Sequence, residues 1–158
     1  MSTAADSNVT TLNLSRVMKA SRAQVYAVWT DTALAREWWG PDGCETRELV
    51  CEAHVGGLFR WVLTTPDGHT MTATGVFREV VEGSKVSYTW QWDDDPQWEG
   101  HESLVTVVFI DKNAETSELL LTHSNLPSEQ SRDNHTGGWN GALDKLERLL
   151  AKQAPPRL

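Results

Sequence analysis

The sequence predicts an α+β fold: a curved, seven-stranded antiparallel sheet gripping one long C-terminal helix. Three observations lead there. Strand-like alternation recurs between turn signals from Gly43 to Asn125, and two short capped helices interrupt the strands only near the start. Residues 127–153 then switch to helical spacing. Apolar or semi-polar side chains fall at His135, Trp139, Ala142, Leu143, Leu146, Leu149 and Leu150, one stripe of a 3.6-residue helix. Such a stripe must lie on the apolar face of the preceding sheet.

Each earlier element has its own signal. Val9 to Met18 alternates Leu12 and Leu14 with Thr11, Asn13 and Ser15, a half-buried strand. Ser21 and Gln24 form a capping box that opens a short helix with Val25, Val28 and Trp29 as its apolar positions. A second short helix, capped by Asp31 or Thr32, runs through Leu34 to Trp38, where Gly40 and Pro41 stop it. Six strands follow as a meander, near 44–52, 58–65, 69–81, 85–93, 102–111 and 117–125. Their turns have mechanisms: Pro66-Asp67-Gly68, Glu82-Gly83-Ser84 and Asp111-Lys112-Asn113 supply the residues tight turns require. Gly56-Gly57 marks a turn or bulge. The widest break, Asp93 to His101, reads as a mobile flap.

A helix covers only about 10 Å of width. A curved seven-stranded sheet presents more concave surface than that, so the remainder is side chains or a cavity.

Length and charge bound the function. The 158 residues suit one domain, residues 9–153, with a polar N-terminal segment at 1–8 expected to be disordered and a short tail at 154–158. A net charge of −8 offers no basic stripe for phosphates and opposes nucleic acid and anionic membranes. No apolar run approaches the ~20 residues of a membrane helix, and Met1 to Thr11 lacks a signal-peptide core, so a cytoplasmic protein is expected. Cys44 and Cys51 sit seven steps apart along one extended strand, at about 3.3 Å per step, and read as free thiols.

Chemistry-bearing residues are few. The chain has eight tryptophans against three Phe and two Tyr. Trp61, Trp90 and Trp92 sit on strands, Trp38 and Trp39 end the second helix, and Trp139 faces the sheet from the long helix. Trp39, Trp61, Trp90, Trp92 and Trp139, with Met71 and Leu143, are candidates for an apolar, ligand-binding wall or for an ordinary aromatic core. The five histidines form no metal motif, and the aspartates at 93–95 lack calcium-loop spacing, so no metal or cofactor is expected. His123 on the last strand and His135 on the helix could face each other across the groove. Arg16, Glu48, Arg60 or Arg78, if turned inward, could orient a polar ligand head. No nucleophile elbow or phosphate loop is present, so no catalytic residue is assigned.

An ordered set of motifs carries a family resemblance. Val25-Tyr26, Trp29-Thr30-Asp31, Trp38-Trp39-Gly40-Pro41, Gly56-Gly57, Pro66-Asp67-Gly68, Gly75 to Val80, and Gly138-Trp139 with Leu143 and Leu146 resemble bacterial homologues of the activator of the ninety-kilodalton heat-shock protein ATPase. That family lies in the START-like (SRPBCC) superfamily, and the resemblance spans roughly Val9 to Ala151. It implies the helix-grip fold, with a deep hydrophobic cavity closed by the C-terminal helix. Three functions follow as expectations: binding of a small hydrophobic or aromatic molecule, co-chaperone-like interaction with a chaperone, or cyclase or hydratase chemistry using His123, His135 or an inward carboxylate as general acid or base. The glycines around Trp139 predict a close approach of the helix to a strand or to the cavity rim.

Overall fold

The computed structural model describes residues 10–153, so the N-terminal segment and C-terminal tail expected above lie outside the described residues. The elements are β1 (Leu12–Met18), α1 (Arg22–Thr30), α2 (Thr32–Ala35), β2 (Glu45–Cys51), β3 (Leu58–Thr64), β4 (Thr70–Val81), β5 (Lys85–Trp92), β6 (Ser103–Asp111), β7 (Ser117–Ser124) and α3 (Glu129–Gln153). Strands β2 to β7 form the expected meander, and β1 closes the sheet beside β7, giving the order β1-β7-β6-β5-β4-β3-β2. All neighbours are antiparallel, and the sheet curls around α3 in the helix-grip fold. Register breaks at 46/48 on β2 and 77/79 on β4 are where bulges sharpen the curl.

Alternation decides what faces the helix. Phe59, Trp61 and Leu63 on β3, Val86, Tyr88 and Trp90 on β5, Val105, Val107 and Phe109 on β6, and Leu119, Leu121 and His123 on β7 are all buried. Their neighbours along each strand are more exposed, except on β5, where Ser87 and Thr89 are buried too.

The helix ends obey capping chemistry. Ser21 accepts from the Gln24 amide while Gln24 reaches back to the Ser21 amide, the expected capping box. Asp31 caps α2 through the Leu34 amide. Helix α3 begins two residues later than the spacing predicts, because Ser128 is its cap: its hydroxyl accepts the Ser131 amide at 3.1 Å. Helix α2 is a single turn rather than a run to Trp38. The Trp38 indole instead folds under α1 and donates to the Val28 carbonyl at 2.9 Å.

Wholly buried Trp29 joins the helices. It stacks on Trp139 of α3 with ring centroids 5.9 Å apart and meets Trp38 at 4.8 Å. Each such pair contributes on the order of 1 kcal/mol beyond its burial. Helix α3 is also clasped along both edges. Arg16 of β1 pairs with Asp144 at 2.8 Å and Glu147 at 2.5 Å, and Lys145 donates to the Gly40 carbonyl at 3.0 Å.

Candidate functional site

The concave surface left uncovered by α3 is a cavity of about 430 Å³, bounded by β3 to β5, the N-terminal half of α3, and the loops around residues 39–44 and 95–98. Its wall is built by strand alternation. Trp61, Ala73 and Trp92 stand in register across β3, β4 and β5, and the small Ala73 lets the two indoles approach to 5.9 Å. Trp90 follows two residues before Trp92 on the same face. From the opposite side Trp139 descends from α3, and Trp39 enters from the loop after α2. The indoles of Trp39, Trp61, Trp90 and Trp139 close a circuit, with successive centroids 6.2, 6.0, 5.6 and 5.8 Å apart.

Gly40 makes room for this circuit. Its backbone lies at φ +82°, and a Cβ there would sit 2.7 Å from the Trp61 ring.

Two histidines brace the wall from behind and beside, with ring centroids 5.2 Å apart. The Trp139 indole donates to His123 Nδ1 at 3.1 Å, which makes Nδ1 the acceptor and places the proton on Nε2. That Nε2 lies 2.8 Å from the Ser103 hydroxyl, which in turn donates to the Trp90 carbonyl. His135 has the opposite tautomer: the Trp92 indole donates to its Nε2 at 2.9 Å, and its Nδ1 donates to the Ser131 carbonyl at 2.7 Å. Burial lowers both imidazoles' pKa. His123 is pushed well below 6.5 by burial and by its neighbour His135, whereas the Ser131 carbonyl partly offsets the burial of His135. Both rings are therefore neutral, and each lone pair is already occupied by an indole N–H.

Seven of the nine side chains singled out in the sequence stand in the cavity wall: Trp39, Trp61, Met71, Trp90, Trp92, His135 and Trp139. His123 and Leu143 do not. Both are fully buried, His123 behind Trp139 and Leu143 on the core side of α3. The strand arginines stay out of the cavity. Arg16 holds the helix, Arg60 pairs with Glu48 at 2.9 Å, and Arg78 lies 3.8 Å from Glu102.

Sequence reasoning missed Trp98, which the structure buries at the cavity mouth with 1% exposure. The stretch read as a mobile flap folds as a turn anchored by this indole, capped by Asp95 on the Gln97 amide and held by the Gln91 side chain on the Trp98 carbonyl. A lone tryptophan in an acidic loop was the available signal. Leu63 was also missed, although it shares the alternation of Trp61. Cys44 lines the cavity as a free thiol whose pKa burial raises, with Lys145 opposing. Cys51 is buried and pushed up to about 12. Among the described residues, no three His, Cys, Asp or Glu side chains gather to suit a metal ion, and no helix is long and apolar enough to cross a membrane.

The family model for Activator of Hsp90 ATPase homolog 1-like proteins matches residues 19–151. The chain belongs to this family. It is 28% identical over 126 residues to the mouse (Mus musculus) Activator of 90 kDa heat shock protein ATPase homolog 1. That match covers 80% of this chain but 32% of the mouse protein, so the chain spans about a third of that relative's length. Among solved structures, an AHSA1 protein of Silicibacter pomeroyi is 26% identical with a TM-score of 0.82, covering 91% of this chain and 99% of that one. A Rhodobacter sphaeroides protein is 26% identical with a TM-score of 0.77, covering 93% and 96%. A Chromobacterium violaceum protein, 24% identical with a TM-score of 0.80 over 89% and 97%, shares the fold.

Proposed function

We propose that the protein binds a small hydrophobic, partly aromatic molecule in the cavity between sheet and α3. The observation that carries this reading is the wall of six indoles around about 430 Å³, a volume suited to a drug-sized ligand. Acid–base catalysis by the two histidines is disfavoured, because a general base needs a free lone pair and both imidazole lone pairs accept from tryptophans.

Cys44 supplies the test. A hydrophobic panel is screened by quenching of tryptophan fluorescence, and each hit is then scored by how far it slows alkylation of Cys44. A cavity ligand protects Cys44 in the native protein and leaves the labelling of both cysteines in denaturant unchanged. Absence of both quenching and protection up to millimolar ligand would remove the reading.

A second reading is a co-chaperone-like interaction, favoured by the similarity to the mouse protein named as an activator of the 90 kDa heat shock protein ATPase. Stimulation of that ATPase by saturating purified protein is the expected result, and none at all would exclude it.

A further inference from the structure

We infer that the cavity selects an organic cation, an ammonium group on an apolar body, over a neutral isostere or an anion. This deepens the reading of the cavity as a binding site and rests on it.

The first support is geometric. Four indoles form a closed circuit with every successive centroid within 6.2 Å, and a fifth, Trp92, lies 5.7 Å from Trp90. Tryptophan is the strongest aromatic partner for a cation, and these five indoles and Trp98 all border the one cavity.

The second support is the charge of the wall. Among the described residues no Lys or Arg lines the cavity, and Asp95 is its one formally charged side chain. His135 is neutral, so it adds no positive charge. Lys145 reaches the rim, where its ammonium is held by the Gly40 carbonyl. Asp93, Asp94, Asp95 and Glu99 line a second depression of about 470 Å³ on the mouth loop, and the whole chain carries −8. An acidic mouth over a low-dielectric cavity concentrates cations. An anion entering the same space would lose its hydration and meet one cation only at the rim, Lys145, whose ammonium already donates to the Gly40 carbonyl. A neutral ligand would gain burial only.

Three probes of one shape test this by calorimetric titration: benzyltrimethylammonium, its carbon isostere neopentylbenzene, and benzylphosphonate. The cation is expected to bind at least about tenfold more tightly than the isostere, with the phosphonate weakest. Asp95→Asn, whose amide oxygen can still accept from the Gln97 amide, is expected to shrink the cation's advantage over the isostere. Equal or tighter binding of the isostere overturns the cation preference and leaves the cavity reading standing. Tightest binding by the phosphonate overturns it as well. No binding by any of the three also overturns it, and the wider hydrophobic panel then decides the cavity reading separately.

Discussion

A tryptophan N–H aimed at each histidine fixes what that histidine can be. Because Trp139 donates to His123 Nδ1 and Trp92 donates to His135 Nε2, the two rings are held as opposite neutral tautomers. Nitrogen-correlated NMR at pH 6.5, where an ordinary histidine is half protonated, should therefore show His123 protonated on Nε2 only and His135 on Nδ1 only. A doubly protonated ring at that pH would contradict the network. The same logic separates tryptophans of similar burial. Trp139→Phe leaves His123 Nδ1 buried without a donor and should cost about 1–3 kcal/mol beyond the lost packing. The Trp90 indole N–H has no acceptor among the described residues, so Trp90→Phe orphans nothing and should lose packing alone. Urea unfolding of the two variants measures the difference. Equal losses would mean that the Trp139 hydrogen bond contributes nothing.

At the scale of elements, α3 shows which sequence signals carried through and which did not. Its apolar stripe was legible because helical period and burial coincide: Trp139, Ala142, Leu143, Leu146 and Leu150 are all buried. The six meander strands were legible for the same reason, their alternation bounded by turn residues. What spacing could not supply was direction within the buried set. Leu143 and Trp139 both face inward, yet only Trp139 reaches the cavity, because that choice depends on where the curled sheet leaves α3 uncovered. The glycines of α3 were read in sequence as one close-approach surface, and the structure divides them. A Cβ on Gly141 would lie 3.0 Å from Pro41 Cβ and 3.3 Å from its Cα, so this glycine lets the helix touch the rim loop. Gly137 and Gly138 have nothing within 4 Å of an added Cβ, which corrects the expectation for both. Gly138→Ala should therefore stabilise by about 0.5–1 kcal/mol, the helix-interior gain of alanine over glycine. Gly141→Ala should show no such gain, since the rigid Pro41 ring and its backbone must shift. Thermal unfolding of the pair checks the contrast, and a Gly141→Ala variant as stable as Gly138→Ala would refute the contact.

For the whole molecule, the histidine pair couples stability to pH because it joins the sheet to α3. His123 belongs to β7 and receives its hydrogen bond from α3, while His135 belongs to α3 and receives its own from β5. Protonating either ring would place a new N–H against an indole N–H and put a charge among Trp90, Trp98 and the other imidazole. The folded protein resists this, so both pKa values are lowered below the ordinary 6.5. The unfolded chain binds more protons than the native one below that pH, and stability must therefore rise with pH. The contribution is complete above pH 6.5, and it is lost as pH falls from there towards the folded pKa values. The slope can reach about 1.4 kcal/mol per pH unit for each histidine. Asp67, lowered to about 2 by Thr65 and His69, acts in a separate and more acidic window. Urea midpoints measured across roughly pH 5 to 8 should fall steadily on the acid side, and His135→Gln should make that slope shallower even though it starts less stable. A midpoint that stays flat through this range in the parent protein would mean that the two imidazoles are not held neutral, and the opposite-tautomer network would fall with it.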